Sequence, residues 1–243
     1  ILGIDGHYIP VLVKDLAGAV AAIRALNIRG VSVTIPFKEA VMPLLDAIDD
    51  DARAIGSVNT ILNSGSKLTG FNTDWKGVEA ALAKKMHISG KTFVLIGAGG
   101  TTRAALYAVK KNGGEALVVS RNRIKGEALA AEFACPWMPL ADISTAKGDC
   151  LINTTPLGMM PEIEAMPVPE NVIQWFNYVM DAVYNPPETR LLQKAGEAGA
   201  VAISGVEMFV AQGGEQLRLW TCMEPPLRSM KAVVLSALKK RIR

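Results

Sequence analysis

Residues 93–105 read FVLIGAGGTTRAA, an apolar β-branched run that breaks into glycines and resumes as an alanine-rich helical pattern. Strand, turn and helix in that order make a phosphate-cradling motif, because glycines let the backbone turn sharply and the first amides of the helix then face an anion. Gly97 and Gly99 match the first two positions of GxGxxG, Gly100 adds room for close approach, and the third position falls on Thr102. The fingerprint is imperfect and weak by itself; its setting strengthens it.

Outward from this loop the alternation is regular. Strands are expected at 93–97, 116–120, 150–153, 180–184 and 201–204, and helices at 102–112, 124–133 and 188–198. That is a doubly wound α/β domain. The second strand, ALVVS, ends near the position of an adenine ribose. NAD binders place a carboxylate there, whereas this chain has Ser120-Arg121-Asn122-Arg123 and then Lys125. Guanidinium and ammonium groups attract a 2′-phosphate that a carboxylate would repel, so the expected cofactor is NADP.

Upstream, DLAGAVAAIRAL (15–26) spaces Leu16, Val20, Ile23 and Leu26 as a helix, and GVSVTIP (30–36) alternates as a strand. A second helix carrying Val41, Leu44, Leu45 and Ile48 is expected next, a strand, helix, strand, helix order that favours a parallel sheet. Residues 57–74 read as a hairpin around Ser64-Gly65-Ser66, followed by a helix through GVEAALAKK. The tail is helical over 206–221 and 227–240, broken at Glu224-Pro225-Pro226.

Composition excludes several classes. The chain has 243 residues, half of them apolar, and 26 basic against 23 acidic residues spread along its length. A net charge of +3 is too weak a bias for nucleic acid, even with KKRIR at the end. No apolar run reaches the roughly 18 to 20 residues of a membrane span, and no leader pattern opens the sequence, so the cytoplasm is the expected location. Cys135, Cys150 and Cys222 are isolated, and His7 and His87 have no ligand-spaced partner, so neither a metal site nor a histidine-based triad is expected.

Without histidine or metal, a dehydrogenase still needs a group to move the hydroxyl proton. VTIPFKEAV places Lys38 at the end of a strand and the expected head of a helix, an unfavourable place for a structural cation and suited to proton transfer. Alone, Asp74 in GFNTDWKG reads as a helix N-cap and Asn59 in AIGSVNTI as a turn residue. Tyr107 and Lys111 form a YxxxK, but they sit directly after the glycine loop and read as helix-surface residues.

VTIPFKEA, AIGSVNT, GFNTDxxG, GAGGTTRA, INTTPLGM, DAVYNPPETRLL and GVEMFVAQ stand in the order found in shikimate/quinate dehydrogenases, and the chain resembles that family over nearly its whole length. The resemblance implies two domains: an α/β substrate-binding, catalytic domain over 1–75, completed by 206–243, and a Rossmann NADP domain over 76–205. It implies reversible reduction of 3-dehydroshikimate to shikimate. Lys38 and Asp74 would be catalytic, and Thr34, Asn59, Tyr184 and Gln212 would hold the substrate. Gly97, Ala98, Gly99, Gly100, Thr101, Ser120, Arg121, Asn122, Lys125, Thr154, Ala182, Gly205 and Met208 would hold the cofactor.

A quinate or other cyclic hydroxyacid dehydrogenase is the alternative within the family, and a non-catalytic NADP-sensing module the alternative outside enzymes. The expected partners are small molecules rather than nucleic acid or membrane, with the chain a monomer, a homodimer or part of a fused polypeptide. The family ordinarily opens with a strand and a serine-rich loop that binds the substrate carboxylate, whereas ILGIDGHYIPVLV reads as the middle of a fold. On this expectation either substrate affinity is compromised or that segment lies outside the sequence.

Overall fold

The computed structural model describes residues 2–241; Ile1, Ile242 and Arg243, the outer ends of the segments assigned from sequence to the substrate domain, lie outside them. The chain divides into two compact units, Ile1–Thr73 with Gly213–Pro226, and Asp74–Gln212 with Leu227–Arg243.

The first unit contains α1 (Leu16–Ala25), β1 (Gly30–Ser32), a 3-10 turn (Met42–Leu44), β2 (Ala47–Ile48), α2 (Asp50–Ile55), β3 (Thr60–Ser64) and β4 (Lys67–Phe71). Asp15 caps α1, its Oδ1 accepting from the Gly18 amide at 3.1 Å. The hairpin forms as expected: β3 and β4 pair antiparallel from Thr60↔Phe71 to Ser64↔Lys67. Gly65 and Ser66 close it with φ of 58° and 69°, the left-handed pair that a two-residue hairpin loop requires.

Two expectations for this unit fail. The second helix is replaced by turns and the short 3-10 element, because Pro43 falls inside the apolar pattern and removes a helical donor. Val41, Leu44, Leu45 and Ile48 nevertheless join the core of Val20, Ile23, Ala52, Val58, Ile61 and Leu68. The periodicity reported burial correctly and conformation wrongly. The sheet, in order β1-β3-β4-β2, is mixed rather than parallel. β1, β4 and β2 share one direction, and the hairpin turn forces β3 to run against them.

The second unit contains α3 (Asp74–Ala83), β5 (Thr92–Ile96), α4 (Gly100–Lys111), β6 (Glu115–Ser120), α5 (Arg123–Glu132), β7 (Trp137–Pro139), a 3-10 segment (Leu140–Thr145), β8 (Cys150–Asn153), α6 (Glu170–Ile173), β9 (Tyr178–Asp181), α7 (Arg190–Glu197) and β10 (Val201–Ile203). Two more helices follow, α8 (Gly205–Thr221) and α9 (Leu227–Arg241). The six strands are parallel in the order β10-β9-β8-β5-β6-β7, a doubly wound sheet whose order reverses between β5 and β8.

Here the expected elements hold to within two or three residues, and β7, the 3-10 segment and α6 are additions that the sequence expectations lack. β7 had no signal, because CPWMP is short and proline-flanked. Proline is tolerated there since β7 is an edge strand and Pro139 its last residue. Strand residues Val94, Ile96, Val119, Leu151 and Val179 pack on Val172, Ile173, Leu191, Leu192 and Ala195 from α6 and α7. A separate cluster joins Val206 and Val210 of α8 to Met230, Val234, Leu235 and Leu238 of α9. It explains why α9 groups with the second unit, although the sequence assigned it to the first.

Candidate functional site

At the switch point Gly97 has φ +130°, a conformation that side-chain-bearing residues rarely adopt. A Cβ there would also lie 2.5 Å from Thr154 Oγ1 and 2.8 Å from Thr102 Oγ1. Those two hydroxyls are 2.7 Å apart, Thr154 Oγ1 donates to the Ile96 carbonyl at 2.6 Å, and Thr102 Oγ1 accepts from the Gly99 amide at 3.2 Å. Thr102, which spoils the glycine fingerprint, is therefore the knot that fixes the loop and ties β5 to β8. The head of α4 follows, with its first-turn amides and positive dipole end.

A pocket of about 230 Å³ opens beside this loop, lined by Gly97, Ala98, Ser120, Arg121, Asn122 and Lys125 with Ile96, Leu140, Thr155 and Leu157. None of the ten lining residues is acidic. Asn122 caps α5, its Oδ1 accepting from the Lys125 amide at 3.0 Å. A glycine turn at a helix head, apolar walls and two solvent-open cations fit a dinucleotide carrying an extra phosphate.

Thr155, beside Thr154, belongs to a buried web whose members lie in INTTPLGM and DAVYNPPETRLL but carry no role in the sequence expectations. Asp181 ends β9, and its Oδ1 accepts from Asn153 Nδ2 at 2.9 Å and from the Val183 amide at 3.0 Å. Its Oδ2 accepts from Thr189 Oγ1 at 2.6 Å. Asn153 Oδ1 in turn accepts from the Thr155 amide and hydroxyl at 3.0 and 2.7 Å. One carboxyl thus holds the loops after β8 and β9, which carry Thr154, Ala182 and Tyr184. The available signal was an acid closing the apolar strand YVMD.

Burial pushes the Asp181 carboxyl up to about 6, against the hydrogen bonds from Thr189, Val183 and Asn153, which pull it down. The folded protein therefore keeps this proton to higher pH than the unfolded chain. The stabilisation is fully present below about pH 4 and is lost as pH rises through about 6. Relative to Asp181→Asn, the wild-type unfolding free energy should fall by about 2 kcal/mol between pH 4 and pH 7. Urea titrations across that range measure it, and parallel curves for the two proteins would contradict it.

Tyr184, 37% exposed, stacks on Phe209 of α8 with centroids 4.1 Å apart, and Gln212 Nε2 donates to the Phe209 carbonyl at 3.1 Å. Both expected substrate residues thus meet Phe209. Gly205 packs against the backbone carbonyls of Asp181 and Ala182. Met208, expected at the cofactor, is buried, with its carbonyl beside Gly77 of α3. Tyr107 meets Trp75 edge-on at 5.5 Å, and Lys111 Nζ lies 4.7 Å over the Trp75 ring and 3.1 Å from Tyr107 Oη. The YxxxK pair thus packs α4 on α3.

In the first unit, Lys38 lies in a turn and not at a helix head, so the dipole argument made for it from sequence lapses. Its position is set by its peptide carbonyl, which accepts from the Val58 amide at 2.8 Å, and by the Thr34–Phe37 turn, in which the Phe37 amide donates to the Thr34 carbonyl at 2.9 Å. Thr34 itself is exposed. Next to Val58, the buried Asn59 side chain accepts from the Thr73 amide at 2.7 Å and donates to Thr73 Oγ1 at 3.0 Å. Asp74 is the next residue, the first of α3 and only 5% exposed.

Asn72 is fixed similarly, donating to the Ser57 carbonyl and hydroxyl at 2.9 Å each. Gln216 completes this web: it donates to Thr60 Oγ1 at 2.9 Å and accepts from Ser32 Oγ at 2.7 Å. Gln216 lies one helical turn beyond Gln212 on the same face and, unlike Gln212, has no role in the sequence expectations. Among the described residues no group of His, Cys, Asp or Glu is arranged to hold a metal ion, and no helix is long and apolar enough to cross a membrane.

Fold and pocket together define a dinucleotide-binding protein of the doubly wound α/β class, with a basic turn where the adenine ribose belongs. Comparison with known proteins narrows the class. The model of the shikimate dehydrogenase substrate binding domain matches residues 1–61, and that of the shikimate 5′-dehydrogenase C-terminal domain matches 205–235. The shikimate dehydrogenase (NADP(+)) of Geobacillus kaustophilus is 38% identical over 98% of this chain and 90% of its own. Shikimate 5-dehydrogenase from Thermus thermophilus, solved with NADP(H) and shikimate, aligns with TM-score 0.85 at 33% identity, over 93% of this chain and 85% of that one. A chorismate mutase/shikimate 5-dehydrogenase fusion protein from Clostridium acetobutylicum aligns with TM-score 0.89 at 33% identity, over 98% and 89%. The chain belongs to the shikimate dehydrogenase family.

Proposed function

We propose that the chain is an NADP-dependent shikimate dehydrogenase that reversibly reduces 3-dehydroshikimate to shikimate. The observation that carries this reading is the pairing of an acid-free, doubly cationic ribose pocket at the switch point with a buried amide and hydroxyl web around Asn59 that leads directly into Asp74. The first unit is read as the substrate-binding part and the second as the NADP-binding part. When bound, the nicotinamide supplies the hydride acceptor or donor. The chain's own residues do the rest.

Lys38 and Asp74 hold and move the proton at the reacting oxygen. Asn59, Thr34, Tyr184 and Gln212 take up the ring hydroxyls and carboxylate, for which amide and hydroxyl groups are the fitting partners. Gly97–Thr101 receives the pyrophosphate, Arg121 and Lys125 with Ser120 and Asn122 receive the ribose phosphate, and Thr154, Ala182, Gly205 and Met208 line the nicotinamide side. The partners implied are small molecules. The relative fused to a second enzyme supports a place for such chains inside longer polypeptides as well as alone or as a homodimer, and the cytoplasm suits the three free thiols.

Expressed in a bacterial strain that lacks its own shikimate dehydrogenase, the chain should restore growth without aromatic amino acids. Failure to do so with soluble protein present would contradict the reading. The phosphate clamp has its own test: Arg121→Asp should raise the KM for NADP+ by roughly 10- to 100-fold and leave that for NAD+ near its starting value, since a charge-assisted contact becomes a repulsion. An unchanged KM for NADP+ would remove Arg121 from the clamp.

A further inference from the structure

Three cations stand in the 121–125 turn, yet only Arg121 and Lys125 line the pocket. Arg123 is turned away: its Nε donates to Glu127 at 2.9 Å and its guanidinium lies 5.8 Å from the centroid of the Trp137 ring. Trp137, from edge strand β7, also reaches under the turn. Its indole N–H donates to Ser120 Oγ at 2.9 Å, and the Ser120 hydroxyl donates to the Asn122 carbonyl at 2.9 Å. Asn122 then caps α5 at Lys125. The chain of contacts runs from the indole through Ser120 and Asn122 to the backbone of Lys125.

Gly126 shows how tightly this is built, because a Cβ there would overlap both Ser120 Oγ and the Trp137 indole nitrogen. Leu140, just past β7, lines the same pocket.

We propose that Trp137 is a positioning residue that sets cofactor specificity: its indole fixes the 120–125 turn in the shape that offers Arg121 and Lys125 to a 2′-phosphate and withdraws Arg123 from it. The proposal rests on the NADP reading of this pocket. It adds a residue that lies outside every motif of the family resemblance and touches the turn rather than the phosphate.

Calorimetric titration of the substrate-free protein with NADP+ and with NAD+ tests it, with 2′-AMP and 5′-AMP as fragments. Trp137→Phe keeps an aromatic ring on Gly126 and removes the N–H donor. It should weaken NADP+ and 2′-AMP binding by roughly three- to tenfold, the loss of about one hydrogen bond, while NAD+ and 5′-AMP stay within about twofold. Gly126→Ala, which wedges the same pair apart from the other side, should give a larger loss with the same 2′-phosphate selectivity.

Wild-type NADP+ affinity in Trp137→Phe would overturn the proposal. So would an equal weakening of NADP+ and NAD+, which would mark a general structural role. Equal affinity of the wild-type protein for the two cofactors would instead overturn the NADP reading on which the proposal stands.

Discussion

Lys38→Ala should lower kcat by roughly two to four orders of magnitude while leaving the dissociation constant for NADP+ within about twofold of wild type. The reason for so selective a loss lies in how the residue is held. Its backbone is anchored by the bond from the Val58 amide and by the Thr34–Phe37 turn, both of which an alanine keeps. Under the proposed assignment, the substitution takes away the ammonium group that serves the reacting oxygen. The cofactor pocket draws all its lining residues from the second unit and includes none from residues 1–73. Steady-state rates with a separate NADP+ titration measure both quantities. A comparable loss of cofactor binding would contradict the role assigned to Lys38.

Asp74→Asn is the second large effect, with kcat expected to fall by roughly two to three orders of magnitude and the melting temperature to move by only a few degrees. Asparagine has the same shape and still suits the head of α3, so the helix start survives. The charge, the ability to take a proton and one acceptor oxygen are lost. The residue is nearly buried and follows Thr73, whose amide and hydroxyl are both bound by Asn59, so the backbone that carries it is fixed before any substrate arrives. An unchanged kcat would remove Asp74 from the chemistry. A collapse in stability would assign it to the fold instead.

These two residues also show how much the sequence could disclose. Their chemical types and motif settings were readable, and so was the doubly wound sheet, because buried parallel strands between amphipathic helices leave a strong periodic signal. Local geometry was less accessible. Lys38 was placed at a helix head because Val41, Leu44, Leu45 and Ile48 repeat as a helix would, and the pattern outweighed Pro43. The apolar stripe survives in the core without the helix.

What stayed hidden was mostly long-range. Trp137 meets Ser120 across 17 residues and Asp181 meets Asn153 across 28, so no local pattern announces either bond. Gln216 was passed over because Gln212 lay inside a recognised motif, whereas the contacts of Gln216 with Ser32 and Thr60 span more than 150 residues. Thr102 was legible as a deviation from GxGxxG. Its purpose required the third dimension, where its hydroxyl meets that of Thr154 at the end of β8.

Whether this chain oxidises shikimate with NADP+ is decided by absorbance at 340 nm when the purified protein is mixed with shikimate or quinate, each paired with NADP+ or NAD+. The fastest rise is expected for shikimate with NADP+, a slower one when either component is exchanged, and one slower by roughly two to four orders of magnitude for shikimate and NADP+ when Lys38 is alanine. A flat trace for wild-type protein in all four mixtures, or a rise that persists undiminished in Lys38→Ala, would overturn both the assigned activity and the role of Lys38 in it.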